Sequence, residues 1–222
     1  MDSPIKLPPL LTDIKAMEWN FYLPIFVTII SSIYVFIVFA GWNQPILFSE
    51  IKKTLGLWSI PCVSFWTIGL YKNLVDSDGK ELLLAMPYKV MQYGFIRTLR
   101  MSLIYILFFY TCLLIVLLFS EENMTMVDWI LPGVNILFFS FLSFVIILAS
   151  KNIAISYGLI GVYSSTNFIT YGSFSGWVYP FYWSLPRHDL QFLQVLMGLI
   201  LATFVCIVLG QWILTKKEYL VK

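Results

Sequence analysis

Charged side chains are scarce in this sequence. Asp, Glu, Lys and Arg make up 12% of its 222 residues, whereas a soluble domain carries about 25%. There is one histidine, and the three cysteines show no CxxC spacing, so neither a metal cluster nor a disulfide framework is predicted. The 14 basic and 12 acidic residues are too evenly balanced for a nucleic-acid-binding surface. Composition therefore excludes a soluble enzyme and a nucleic-acid partner.

Hydrophobic residues take the place of the missing charge. They make up 59% of the chain, and the mean hydropathy is +0.84. Six apolar runs follow one another, most of them close to the ~20 residues that a membrane-spanning helix needs, and none shows the alternation of a membrane β-barrel. They cover about 21–41, 55–71, 101–119, 130–149, 153–172 and 192–214. The predicted fold is an all-α polytopic membrane protein with six transmembrane helices, and residues 1–222 form a single domain.

The distribution of positive charge predicts the orientation of the spans. Three of the 14 Lys and Arg residues, Lys52, Lys53 and Arg187, fall in the segments on one side of the membrane, and all the others fall on the opposite side. Because cytoplasmic segments carry the excess of Lys and Arg, both termini are predicted to be cytoplasmic. Residues 120–129 then form an acidic outer loop. Its Asn123 begins a glycosylation sequon, which would matter only in a eukaryotic lumen.

The apolar runs contain no Asp, Glu, Lys, Arg or His. Ion-coupled carriers usually need such a group within the membrane, and intramembrane enzymes need paired carboxylates, histidines or an activated nucleophile. No phosphate-binding loop occurs either. We therefore expect that the chain is not an enzyme and binds no metal or cofactor. If it transports, another protein must supply the energy.

Most of the polarity within the spans lies in the fifth run. Gly161 and Ser165 have the small-xxx-small spacing that lets helices approach closely, and Gly158 and Asn167 lie on the same run. Two interpretations remain open. The run is either an ordinary packed helix of the bundle, or it lines a substrate path or an interface with another subunit.

The segment 72–100, between the second and third runs, contains a short predicted helix. Asp78, with Glu81 three residues later, resembles a capping box. The leucines that follow favour a helix, and Pro87 marks its end. This helix of about two turns has more apolar surface than a solvated loop should carry. It therefore either rests in lipid or docks a cytoplasmic partner.

The order of these features resembles a known family. An acidic stretch, then Glu-Leu-Leu-Leu-x-x-Pro, then a helix with spaced arginines, is similar to the coupling-helix region of type-2 ABC transporter permeases. The resemblance implies two partners, a cytoplasmic ABC ATPase that carries ATP and Mg, and a second permease subunit, identical or different. It also implies that the ATPase contacts Asp78, Gly79, Lys80, Glu81, Leu82, Leu83, Ala85, Met86 and Pro87.

Two further segments resemble parts of the same family. Residues 1–20 are similar to its amphipathic connecting helix before the first span, with apolar and charged residues interleaved. Residues 173–191 are similar to its outer re-entrant hairpin before the last span. The aromatic and proline residues of that hairpin are Trp177, Pro180, Trp183 and Pro186.

The resemblance implies an exporter subunit in a bacterial cell membrane. Its cargo would be amphiphilic, such as a peptide, an antibiotic or a lipid-like molecule, and compact members of the family commonly export peptides or protect against antimicrobial peptides. One alternative is the substrate-capture membrane subunit of a vitamin-type uptake system. Another is an integral enzyme that acts on lipid through Arg187, His188 and Asp189. The sequence leaves open the cargo, the direction of transport, the pore-lining residues and whether two identical subunits pair.

Overall fold

A computed structural model describes residues 9–41, 48–75, 90–119, 124–186 and 190–216, except the side chains of 39–41. Within these ranges the chain forms seven α-helices and no strand, which confirms the all-helical prediction. A π-helical turn, Gln92–Ile96, leads directly into the fourth helix. The helices are α1 (Leu10–Met17), α2 (Trp19–Gly41), α3 (Phe48–Val75), α4 (Arg97–Leu117), α5 (Met126–Ser150), α6 (Ile153–Ile169) and α7 (Phe192–Thr215).

Four stretches of the described helices are long and apolar enough to cross a membrane. They are Trp19–Val38, Gln92–Leu117, Met126–Ser150 and Phe192–Thr215. Length and composition thus support a helical membrane protein. The remaining two predicted spans are helical as well, but α6 has only 17 residues, and α3 is less apolar.

The central position of α3 explains its lower hydropathy. It packs against α1, α2, α4, α5 and α6, and its buried residues include Ser59, Ser64 and Thr67. A helix enclosed by protein faces little lipid, so polar side chains on it are less costly than on a lipid-facing helix.

Several predicted boundaries differ from the structure. The helix after the acidic loop 120–129 already begins at Met126, the helix of the fifth run ends at Ile169 and not at 172, and the largest difference is at the start of α3. The second apolar run is predicted from about residue 55, yet α3 already begins at Phe48. Phe48 and Ile51 are buried, and Lys52 forms an ion pair with Asp128 at the start of α5. These tertiary contacts stabilise a helical conformation in residues 48–54, which hydropathy alone assigns to a loop.

Charged residues mark both ends of α3. Lys52 and Lys72 are 20 positions apart, which corresponds to about 30 Å at about 1.5 Å per residue. That length matches the hydrocarbon thickness of a bilayer. Near the start of α3, Lys52 reaches α5. Near its end, the ring of Tyr71 lies 4.9 Å from that of Phe144 on α5, so the two helices run parallel.

The predicted N-terminal amphipathic segment is described from residue 9 onward. It forms α1, and Glu18, with a φ of 52°, separates α1 from α2. Asp13 and Met17 are buried, whereas Leu11 and Trp19 are largely exposed. An exposed apolar side combined with a buried polar contact is compatible with a helix that lies at a membrane surface.

Candidate functional site

The predicted ATPase-contact helix, Asp78 to Pro87, lies outside the described residues. The structure describes the two flanks of this segment. On one side α3 ends at Val75, and on the other the chain is helical from Val90 into the π-helical turn. The geometry of these flanks determines how the segment is attached to the bundle.

Ion pairs hold both flanks against α1. The carboxylate of Asp13 is fully buried. Its Oδ1 accepts from Nε of Arg97 at 2.8 Å, and its Oδ2 pairs with Arg100. On the other flank, Nζ of Lys72 lies 2.9 Å from Oε2 of Glu18. We call these five residues the inner brace.

The buried part of the inner brace is energetically important. Arg97 is almost entirely buried, as is Asp13, and removing one partner of such a pair leaves a buried charge without compensation. The Arg97 guanidinium also lies 4.8 Å from the ring centroid of Tyr93, a distance typical of a cation–π contact. The ion pairs with Asp13 therefore fix the first turn of α4 to α1, and the contact with Tyr93 orients the Arg97 side chain.

A tyrosine of α3 stabilises the π-helical turn. The hydroxyl of Tyr71 lies 3.0 Å from the carbonyl oxygen of Tyr93 and 2.8 Å from that of Gly94. It also lies 2.8 Å from Oγ1 of Thr98. A π-helical turn departs from the regular α-helical bonding pattern, and this hydroxyl donates to the carbonyls that the turn presents. The end of α3 and the start of α4 are thus connected directly.

The opposite end of the bundle carries a second polar cluster around Asp128. Its carboxylate is nearly inaccessible and accepts from Lys52 Nζ at 2.7 Å and from Thr125 Oγ1 at 2.6 Å. The indole Nε1 of Trp183 donates to the same carboxylate at 3.1 Å. We call Lys52, Thr125, Asp128 and Trp183 the outer cluster. Through Trp183 it holds the predicted outer hairpin in place.

The outer segment is described as far as residue 186 and again from 190, so Arg187, His188 and Asp189 lie outside the description. Residues 170–184 fold mostly as consecutive turns, with no helix between 171 and 186. Pro180 and Trp183 are buried, whereas Trp177 and Pro186 are exposed. Entry of this segment into the membrane stays a prediction.

Two glycines let this segment approach the helices closely. A Cβ on Gly198 of α7 would collide with the backbone carbonyl of Trp177, and one on Gly56 of α3 would collide with the side chain of Ser184. A larger residue at Gly198 would displace the backbone of the outer segment, whereas one at Gly56 meets side chains, of which the Ser184 hydroxyl can rotate away. The segment therefore packs closely on α7 through its backbone and on α3 through side chains.

The four candidate residues of the fifth run separate into two groups. Gly158, Gly161 and Ser165 are exposed, and a Cβ on either glycine would meet nothing within 4 Å. Asn167 is buried, donates to the carbonyl of Tyr163 at 2.9 Å and accepts from Ser175 of the outer segment. The glycines therefore do not serve packing within the described chain, whereas Asn167 does.

The structure also shows two grooves beside the first half of α3. One, of about 500 Å³, lies between α2 and α3; the other, of about 300 Å³, lies between α3 and α6. Trp58 is 65% exposed and lines both. The first groove has no signal in the sequence, because it depends on how α2 and α3 pack, whereas the second is lined by Ser165, one of the candidate residues of the fifth run. The other lining residues are Val27, Ile30, Ser31, Tyr34 and Thr54 in the first groove, and Leu57, Ser164, Ser165, Phe168 and Phe181 in the second.

The described residues that line the grooves are all uncharged. They combine apolar and aromatic surface with a few hydroxyl groups, which is the usual composition of a small-molecule site. Comparison with known proteins gives no match to a family model, a curated protein or a solved structure.

Proposed function

We propose that the chain is the permease subunit of an ATP-driven exporter of the type-2 ABC kind. A separate ATPase supplies the energy, and the cargo is amphiphilic. The observation that carries the proposal is the buried part of the inner brace, because Asp13 fixes the start of α4 to α1 and Tyr71 connects the end of α3 to the same turn. The resemblance of residues 78–87 to a coupling helix supplies the rest of the argument.

The brace makes the segment 76–89 suitable for transmitting force. A push on a loop with free flanks would be absorbed by the loop itself. Here Arg97 is tied to Asp13 of α1 by a buried ion pair, and Tyr71 ties α3 to the start of α4. The Lys72–Glu18 pair is exposed and adds at most about 1 kcal/mol. A displacement of the segment would therefore move α1, α3 and α4 together, as in a rigid-body transition.

A six-span topology with cytoplasmic termini belongs to this proposal. The charge spacing along α3, about 30 Å between Lys52 and Lys72, supports a span in spite of its modest hydropathy. The 17 residues of α6 reach about 26 Å at about 1.5 Å per residue, a length that a slightly thinner bilayer accommodates at modest cost. The inner brace then lies at the cytoplasmic side of a bacterial cell membrane.

The open face of α6 supports a second permease subunit as a partner. Gly158 and Gly161 lie on a face that the described chain does not cover. Glycine is a weak helix former, and in membranes small residues are concentrated where helices approach each other closely. A second subunit on this face, identical or different, would make use of both glycines.

Affinity purification in mild detergent tests the proposal. An ATPase should co-purify with the wild type, hydrolyse ATP faster in the complex, and be lost with Leu83→Asp. Leu118→Asp is the matched control, because Leu118 is an exposed leucine at the opposite end of α4. If no nucleotide-binding protein co-purifies with the wild type, the exporter proposal fails. A stoichiometric small molecule seen by native mass spectrometry would then favour the vitamin-type capture subunit.

A further inference from the structure

The side chain of Gln211 on α7 lies between two backbone groups of the π-helical turn and the residues just before it. One end of its amide is 3.2 Å from the carbonyl oxygen of Val90, and the other end faces the backbone N–H of Phe95. The amide is oriented with its nitrogen toward the carbonyl and its oxygen toward the N–H, since only this orientation satisfies both groups. Gln211 therefore donates to this part of the chain and accepts from it at the same time.

The contact with Gln211 takes the place of a backbone bond within the helix. In a regular α-helix each N–H bonds to the carbonyl four residues earlier, so the N–H of Phe95 would donate to the carbonyl of Met91. A backbone amide has one hydrogen to donate. Phe95 can thus bond fully to Gln211 or to Met91, but not to both. The Gln211 contact and an uninterrupted α-helix are alternatives.

The contacts of Tyr71 do not exclude the α-helical form. Its hydroxyl lies within hydrogen-bond distance of the carbonyl oxygens of Tyr93 and Gly94, and a carbonyl oxygen has two lone pairs. These carbonyls can accept from Tyr71 and from the helix at once. Gln211 is therefore the contact that distinguishes two forms of the turn.

Glycine at position 94 lets α7 reach the backbone of the turn. A Cβ there would lie 2.6 Å from the amide of Gln211, 3.0 Å from Leu214 and 3.1 Å from Phe144. Both α7 and α5 thus lie directly against the turn. A movement of α7 away from α4 would withdraw the amide, because a hydrogen bond is lost once its two heavy atoms are more than about 3.5 Å apart.

We propose that the π-helical turn is one state of a register switch, with Gln211 as its clamp. While α7 lies against the turn, Gln211 holds the π form. When α7 withdraws, residues 90–97 close into an α-helix, and the N–H of Phe95 bonds to Met91. In both forms this N–H has an acceptor, which a membrane environment requires. The extra residue of the turn is absorbed on closure, so Val90 and Met91 rotate by about 100° relative to α4, the angle of one residue in an α-helix.

The switch is a property of the single chain and does not rest on the exporter proposal. In an exporter it would connect the position of α7 to the direction in which the chain enters α4. It is measured on the purified chain without an ATPase. Loss of the ATPase interaction would leave the switch standing, and failure of the switch would leave the exporter proposal standing.

Spin-label accessibility of the full chain in lipid nanodiscs tests the switch. The three cysteines are replaced by alanine, and a nitroxide is attached at Met91→Cys or at Gln92→Cys, one at a time. Met91 is 62% exposed and Gln92 is less exposed, so collisions with oxygen or a nickel chelate should be more frequent at 91. In Gln211→Met, which keeps the length of the side chain but cannot donate, the more accessible position should shift from 91 to 92.

Hydrogen exchange distinguishes a switch from a merely loosened turn. In the α-helical form the N–H of Phe95 is bonded, so the peptide that covers 92–98 should exchange as slowly in Gln211→Met as in the wild type. Faster exchange with the more accessible position still at 91 would show that Gln211 only stabilises the π form, and would overturn the proposal. Unchanged exchange together with unchanged accessibility would overturn it as well.

Two further variants complete the test. Gly94→Ala should produce the same shift from 91 to 92, because its Cβ displaces the Gln211 amide and alanine favours an α-helix. Thr215→Val is the matched control at the same end of α7, because Thr215 is exposed and its hydroxyl donates to the carbonyl of Trp212. It should keep the more accessible position at 91. A shift in Thr215→Val equal to that in Gln211→Met would overturn the role of Gln211.

Discussion

Lys52 Nζ lies 2.7 Å from Oδ1 of Asp128, and this ion pair joins the first turns of the parallel helices α3 and α5. The carboxylate also accepts from the indole of Trp183. One side chain therefore connects two helices and the outer segment. A group with so many partners should contribute substantially to stability.

We expect Asp128→Asn to destabilise the protein by about 1–3 kcal/mol. The substitution keeps the shape of the side chain but removes the charge that compensates Lys52; losing one partner of a fully buried pair costs about 3–5 kcal/mol, and the partial exposure of Lys52 lowers that figure. Thermal unfolding in detergent measures the effect. Glu50→Gln is the control, because its pair with Lys53 is exposed and should contribute less than about 1 kcal/mol. Equal unfolding temperatures for both variants would contradict the role of Asp128.

Gly198→Val should displace the outer segment. The new side chain would occupy the position of the Trp177 backbone carbonyl, and overpacking of this kind costs about 1–3 kcal/mol. Limited proteolysis and thermal unfolding should both show a loosened outer segment. Gly161→Val is the matched control, because a Cβ at Gly161 meets nothing within 4 Å. If Gly161→Val in the isolated subunit were as damaging as Gly198→Val, the close-approach explanation would be wrong.

The sequence predicts the helices well and their contacts poorly. The run at 130–149 becomes α5, Met126–Ser150, because a long charge-free apolar stretch in a membrane has few alternatives to a helix. The start of α3 at Phe48 was missed, because it depends on Asp128, a residue far away in the chain.

Asp13→Asn should lower the free energy of unfolding by about 3–5 kcal/mol, because the buried Arg97 of the inner brace would lose its counter-charge. Lys15→Gln is the control on the same helix, because Lys15 is exposed. Chemical unfolding followed by tryptophan fluorescence measures the difference. A change of less than about 1 kcal/mol for Asp13→Asn would show that α1 is not held by this pair.

Tyr71→Phe should loosen the π-helical turn without disturbing the core. The ring stays, but the hydroxyl that donates to the carbonyls of Tyr93 and Gly94 is lost, at a cost of about 1–3 kcal/mol. Hydrogen exchange of the peptide that covers 92–98 should accelerate. Tyr157→Phe is the comparison. The Tyr157 hydroxyl donates to Oδ1 of Asn20 at 2.9 Å and does not contact the π-helical turn, so its loss should leave exchange at 92–98 unchanged. Unchanged exchange at 92–98 in Tyr71→Phe would contradict the connection between α3 and the turn.

Gly161→Leu should reduce association of two subunits without lowering the stability of the single chain. A leucine side chain finds open space on α6 within one chain and replaces glycine by a stronger helix former, worth about 1 kcal/mol, so the isolated subunit should unfold at the same temperature or higher. A second permease subunit on this face would need the close helix approach that glycine permits, so the dimeric fraction in nanodiscs should fall. Mass photometry measures that fraction.

The comparison variant for assembly is Leu201→Ala on α7, whose side chain is exposed and lies away from α6. It should leave the dimeric fraction unchanged. If Gly161→Leu forms dimers as readily as the wild type, the open face of α6 contacts lipid and the second subunit binds elsewhere. If the dimers disappear while the unfolding temperature is kept, the glycines of the fifth run serve the contact between subunits, because a packing role within the chain would have shown itself as a loss of stability.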